Sequence, residues 1–157
     1  MTYTLLLWLH VIGATILLGT GAGIAFFMVM AHRSGEPALI AHVARSVVVA
    51  DFLFTATAIV AQPITGALLM AKQGWSFSTP WILAALGLYV VTGLFWLPVV
   101  FMQVRMRELA RSAAAAGTSL PAAYYRLYRL WFAFGFPAFF AVLGILWLMT
   151  AKPTLFF

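Results

Sequence analysis

His10 is the residue of this sequence with the clearest chemical potential, because it lies inside a long apolar stretch. The segment from Leu5 to Ala31 is apolar almost throughout, and this imidazole is its one titratable group. At about 1.5 Å per residue, such a helix is long enough to cross a hydrocarbon core of about 30 Å. A polar side chain inside hydrocarbon needs a partner, so an intramembrane histidine is a functional-site hypothesis.

The residues around His10 are compatible with a haem site. A neutral imidazole nitrogen is the usual proximal ligand of haem iron, and nearby glycines leave room for a flat ring. Gly13 follows on the same helix face, and Gly66, Gly87 and Gly144 are expected at a similar depth on the three later helices. Two methionines are the candidate second axial ligands. The predicted haem b site therefore consists of His10 as iron ligand with Gly13, Gly66, Gly144, Met70 and Met149.

The same histidine also has a structural interpretation. Glycines in membrane helices often serve only close helix packing. The imidazole would then hydrogen-bond Tyr89, Thr65 or Gln62 across the bundle. The residues alone leave both interpretations open.

Three other polar residues have simpler expected roles. Asp51 is expected within a few turns of the inner face, where an ion pair with an arginine would fix helix packing. His32 and His42 are ten residues apart, which is not the one-turn spacing of a helical metal site, so both are expected to be solvated. The candidate arginine partners of Asp51 are Arg45, Arg105 and Arg129.

The composition identifies the class of protein that must position these residues. The 157 residues are 65% hydrophobic and 8% charged, and the mean hydropathy is +1.06, which indicates an integral membrane protein. The net charge of +6 predicts contact with anionic lipid headgroups of the bilayer and not with nucleic acid, because the basic residues lie between apolar spans. The absence of cysteine excludes disulfides, thiolate metal sites and thiol nucleophiles. No phosphate-binding glycine loop, acidic pair or nucleophile with its base occurs, which excludes hydrolases and nucleotide enzymes.

Hydropathy and breaker residues predict a single all-α domain over residues 1–157, an integral membrane bundle of four transmembrane helices. The helices are expected at about residues 4–31, 38–71, 81–110 and 122–151. By the positive-inside rule, the basic residues place both termini outside the cytoplasm in a bacterial inner membrane. Seven arginines flank one side of the membrane, and the two lysines, Lys72 and Lys152, lie on the other.

Four segments carry a family resemblance that extends over nearly the whole chain. The segments WLHVIGATILLGTGAGIAFFM, QPITG, WLPVVFMQ and WLMTAKP resemble the bacterial integral membrane proteins grouped as domain of unknown function 2269. That family is placed beside the CopD-like copper-resistance proteins and the HemJ-type protoporphyrinogen oxidases. The more distant similarity to the oxidases implies a haem-binding histidine at His10, after Leu9. A lysine that matters for oxidase activity is matched here by Ala85, or by Ala84 in a shifted alignment, which counts against that activity.

Three functions follow as hypotheses. The leading one is a small haem b protein for electron transfer or haem handling, which as an enzyme would be a membrane oxidoreductase. It would work with a redox partner or quinone, and a homo-oligomer could share the site. The second is a cofactor-free accessory or assembly subunit. The third, a carrier for a small solute or metal ion, would require more intramembrane polar groups than the sequence reveals.

Overall fold

The computed structural model describes residues 2–155, which form a bundle of long helices. The second spanning helix, Pro37–Gln73, consists of two α-helices joined by the π-helical turn Asp51–Thr55. Among the described residues, four helices are thus long and apolar enough to cross a membrane, and the predicted all-α fold class is confirmed. The α-helices are α1 (Tyr3–Ser34), α2 (Pro37–Ala50), α3 (Ala56–Gln73), α4 (Pro80–Ala116) and α5 (Ala122–Ala151).

Glycine and proline residues set the ends of the spanning helices. Gly35, Gly74 and Gly117 follow the first three spans with φ values of 69°, 69° and 63°. Glycine adopts this left-handed conformation without steric strain and so ends a helix. Pro37 and Pro80 occupy the first turn of the next helix, where proline's missing N–H has no helical partner to lose.

The helix α4 shows the largest extension beyond its predicted end. α4 continues to Ala116, beyond the predicted end at residue 110. Alanine has the highest helix propensity, so the run at residues 113–116 prolongs the helix. Near this end of the helix, the Glu108 carboxylate forms ion pairs with Arg107 and Arg111, with a nitrogen–oxygen distance of 2.8 Å in each. The 37 residues of α4 span about 55 Å, which is longer than the hydrocarbon core.

The spanning helices form a ring in chain order, and α1 meets α5 over a shorter stretch than it meets α3. Two apolar clusters hold the ring together. The first cluster includes Met28, Ile40 and Met106 and draws on all four spans. The second cluster draws on α3, α4 and α5 and consists of Met70, Trp81, Ile82, Ala85 and Leu148.

Candidate functional site

His10 is held by a polar contact between α1 and α3. Its Nδ1 lies 2.7 Å from Thr65 Oγ1, and the Thr65 hydroxyl donates to the carbonyl oxygen of Ala61 at 2.8 Å. The ring nitrogen and the hydroxyl share this hydrogen bond, and its direction depends on the tautomer of the imidazole. Of the three partners expected for the ring, Thr65 is the one observed.

The other two expected partners bond elsewhere. Gln62 Nε2 donates to the backbone carbonyl of His10 at 2.7 Å, which ties the same two helices together a second time. The Tyr89 hydroxyl donates to the carbonyl oxygen of Ile59 at 2.6 Å. The hydrogen bond across the bundle that the structural interpretation of His10 predicts is therefore present, with Thr65 as its partner.

The three glycines of the predicted haem site are in contact with side chains of the chain itself. A Cβ on Gly13 would clash with Nε2 of Gln62, and a Cβ on Gly66 would lie 3.4 Å from Cε1 of the His10 ring. A Cβ on Gly144 would lie 2.9 Å from Cδ1 of Leu88. The glycines leave room for these contacts, and the space that they open is filled.

The two predicted methionine ligands have other neighbours. Met70 packs with Trp81 in the second apolar cluster, and Met149 is exposed on α5. The structure thus brings Gly13 and Gly66 to His10 and places Gly144, Met70 and Met149 among other contacts. Within residues 2–155, no three His, Cys, Asp or Glu side chains come together as a group that could hold a metal ion.

Asp51 begins the π-helical turn in the middle of the second spanning helix. The backbone N–H of Ala56 donates to the carbonyl oxygen of Asp51, five residues earlier, which is the hydrogen bond of a π-helix. Such a turn contains one residue more than an α-helical turn, and in proteins it often lies at a functional site. Here it directs two buried polar side chains, Asp51 and Thr55, from successive turns into the bundle.

The predicted ion pair of Asp51 with an arginine is wrong. The Asp51 side chain is 3% exposed, and its carboxylate accepts a long hydrogen bond, 3.4 Å, from Nε1 of Trp96. The ion pairs found in residues 2–155 are those of Glu108. Long arginine side chains extend toward the membrane surface more readily than into the bundle, and the three candidates Arg45, Arg105 and Arg129 are exposed.

Asp51 lines a cavity of about 370 Å³ at the centre of the bundle. All four spanning helices contribute to its walls, and the cavity lies between the two apolar clusters. Most of the wall is aliphatic or aromatic, including Leu17, Ile59 and Phe136. The polar side chains that face the cavity are Asp51, Thr55, Thr92, Trp96, Gln103 and Trp131.

Three of these polar side chains are buried without a hydrogen-bond partner. Gln103 is 1% exposed, Trp131 4% and Thr55 5%. Both amide atoms of Gln103, Nε1 of Trp131 and Oγ1 of Thr55 have no hydrogen-bond partner within 3.5 Å in the described part of the chain. Each unsatisfied group costs about 1–3 kcal/mol. These three side chains line the same cavity as the Asp51 carboxylate, so the cavity contains a polar site inside a membrane protein.

The sequence does not reveal this site because its signals are indirect. Asp51 and Thr55 are four residues apart on one helix face, a spacing that by itself also suits packing. Gln103 precedes Arg105, so it looks like an interfacial residue in the sequence. Trp131 belongs to an aromatic run that indicates lipid contact equally well.

Fold and site together define a polytopic helical membrane protein with a mainly apolar cavity, lined by all four spans, that contains a few buried polar groups. The chain belongs to the family of predicted integral membrane proteins DUF2269, whose model matches residues 4–153. No curated protein and no solved structure shows significant similarity to the chain.

Proposed function

We propose that the protein binds a small, mainly apolar molecule with one polar group in its central cavity. The observation that carries this proposal is the set of buried, unpartnered polar atoms of Thr55, Gln103 and Trp131 beside the Asp51 carboxylate. Buried polar groups are normally paired, so a site that leaves several unpaired is explained by a partner that supplies the missing bonds.

The size and lining of the cavity support this function. A volume of about 370 Å³ lies in the range of small-molecule sites, which combine apolar walls with a few convergent polar groups. The cavity is lined by the apolar spanning helices, so the ligand that fits it is mainly apolar. The protein therefore acts as an intramembrane binding protein, which is also the first requirement of the carrier hypothesis.

Binding of 1-naphthylmethanol, an apolar body with one hydroxyl, tests the proposal. We expect saturable binding to protein in lipid nanodiscs, measured by equilibrium dialysis against empty nanodiscs. Gly21→Leu should weaken binding at least tenfold, since Gly21 lines the cavity and a larger side chain there would occupy it.

The matched control is Gly19→Leu on the same helix. A Cβ at Gly19 or at Gly21 meets no atom within 4 Å, so neither change should clash with a neighbour, and Gly19 does not belong to the cavity wall. Gly19→Leu should therefore leave binding intact. Equal binding by both variants, or no saturable binding of naphthyl compounds of any charge, would contradict the proposal.

Haem b binding through His10 is the second candidate function, and the surroundings of the imidazole favour it. A metal-binding histidine commonly donates its second N–H to an oxygen, and Thr65 Oγ1, 2.7 Å from Nδ1 of His10, is placed to accept such a bond. The resemblance of the first helix to the HemJ-type oxidases also supports it. The three glycines of the predicted site do not support haem binding. The space beside each of them is filled by a side chain, respectively Gln62 at Gly13, His10 itself at Gly66 and Leu88 at Gly144.

Titration of the purified protein with haemin tests this second candidate. If His10 binds haem, the absorption spectrum should saturate at a fixed stoichiometry, and His10→Ala should abolish the spectral change. Thr65→Val should weaken binding by about 10–100-fold, the usual effect of losing such a supporting hydrogen bond. If the wild-type protein shows no saturable spectral change with added haemin, the haem hypothesis is wrong. The associated hypotheses of a quinone, a redox partner and a haem site shared in an oligomer would then be wrong as well.

The orientation in the membrane is part of the proposal. The arginines support a bacterial inner-membrane protein with both termini outside the cytoplasm, since Arg33, Arg45 and Arg107 lie at one end of the bundle and Lys72 and Lys152 at the other. His10 then belongs to the outer half of the membrane, and the loop between α4 and α5 to the cytoplasmic side.

A further inference from the structure

We propose that the ligand of the cavity is a hydrophobic organic cation, an amine on an apolar body, whose charge pairs with the Asp51 carboxylate. This inference rests on the proposed binding function and specifies the class of ligand. Its central observation is a carboxylate that is 97% buried and has no cationic partner among the residues that line its cavity.

The charge of Asp51 decides what the cavity can accept. Among the described residues that line it, Asp51 is the one ionisable side chain. A lone carboxylate in a low-dielectric interior takes up a proton when no cation is present. An entering ammonium can replace that proton: one cation binds, one proton leaves, and the net charge of the site is unchanged.

The neighbours of the carboxylate suit an ammonium group. The carbonyl oxygen of the Gln103 amide and the Thr55 hydroxyl are buried acceptors without partners, and both side chains line the cavity with Asp51. An alkylammonium has up to three N–H donors, which these acceptors and the carboxylate could receive together. Trp96 and Trp131 add indole rings to the wall, and indole is the aromatic side chain that attracts cations most strongly.

Other classes of ligand fit less well. A hard metal ion such as calcium takes about six to eight oxygen ligands, whereas the acidic, amide and hydroxyl groups here come from Asp51, Gln103, Thr55 and Thr92. Most of the wall is aliphatic and aromatic, which favours an apolar body. An anion would meet the carboxylate without any basic side chain to balance it.

Three naphthyl probes of nearly equal size test the class of ligand. These are 1-naphthylmethylamine, 1-naphthylmethanol and 1-naphthoate, each dialysed against protein in nanodiscs made from uncharged lipid. We expect the amine to bind at least about tenfold more tightly than the alcohol, because a charge-assisted hydrogen bond is about twice as strong as a neutral one. The carboxylate should bind most weakly.

Asp51→Asn is the matched variant, since it retains the shape of the side chain and removes its charge. It should bring the amine to the affinity of the alcohol while leaving the alcohol nearly unaffected. In the wild type, amine binding should weaken by up to about tenfold per pH unit on acidification, because cation and proton compete for one carboxylate. An aliphatic amine of this kind stays protonated over about pH 5–8, so the effect belongs to the protein.

The outcomes separate this inference from the proposed function. If the alcohol binds saturably and the amine binds no better, the cavity is a binding site and the cationic class is wrong. If the amine preference survives in Asp51→Asn, the role of the carboxylate is wrong. If none of the three probes binds saturably, the proposed function fails as well.

Discussion

Replacing Asp51 with leucine is expected to make the ligand-free protein more stable. The carboxylate is buried with one long hydrogen bond, from Trp96 at 3.4 Å, and no ion pair repays the loss of hydration. Exchanging such a buried ionisable group for an apolar side chain of similar volume is often stabilising. We expect a gain of about 1–2 kcal/mol, or about 3–6 °C in the midpoint of thermal unfolding.

The same substitution should weaken binding of the amine probe at least as much as Asp51→Asn does, so stability and function change in opposite directions. Thermal unfolding in mild detergent, followed by tryptophan fluorescence, measures the first effect. Asp51→Asn provides the comparison, since the amide can still accept from Trp96, and its unfolding midpoint should fall between the other two. A large loss of stability in Asp51→Leu would show that the carboxylate supports the fold, and the interpretation of Asp51 as a ligand-binding residue would then be wrong.

Deleting Leu53 is expected to leave the bundle folded and to remove the binding site. The π-helical turn Asp51–Thr55 contains one residue more than an α-helical turn, so its loss can restore a regular helix with α2 and α3 still facing their neighbours. Leu53 is 57% exposed, and its side chain contributes little to the core. The turn would then no longer direct Asp51 and Thr55 together into the cavity.

Deleting Val60 is the control, because this equally exposed residue, at 62%, lies in the regular helix α3. With no extra residue to absorb the change, the rest of α3 would rotate by about 100° about its axis. Thr65 and Gly66 would turn away from His10. We expect the Val60 deletion to lose at least 10 °C more in unfolding midpoint than the Leu53 deletion, and equal losses would contradict the role assigned to the π-helical turn.

The sequence predicted the fold well because the controlling features are local. Hydropathy identifies the spans, and Gly35 and Pro37, like Gly74 and Pro80, mark the chain reversals through their backbone conformation. Thr65 as the partner of His10 was also among the predicted alternatives, since the depth of a residue in the membrane follows from its position along a helix.

The cavity could not be predicted in the same way, because it depends on the direction in which each side chain points around its helix as well as on the depth of the residue in the membrane. One additional residue in the π-helical turn changes which way Asp51 points, and the hydropathy pattern does not register it. His32 gives a second example. The sequence predicts that this side chain is solvated. In the structure its ring stacks on Tyr128 of α5, with centroids 3.5 Å apart and ring planes at 9°, and this contact joins residues that are distant in the sequence.

The contacts of α1 differ between its two ends. At one end, α1 is fastened to α5 by the stacking of His32 on Tyr128 and belongs to the first apolar cluster. At the other end, it is hydrogen-bonded to α3 through His10, while the second cluster draws on the remaining helices. The helix α1 is therefore joined to a different neighbour at each end, to α5 beside His32 and to α3 beside His10.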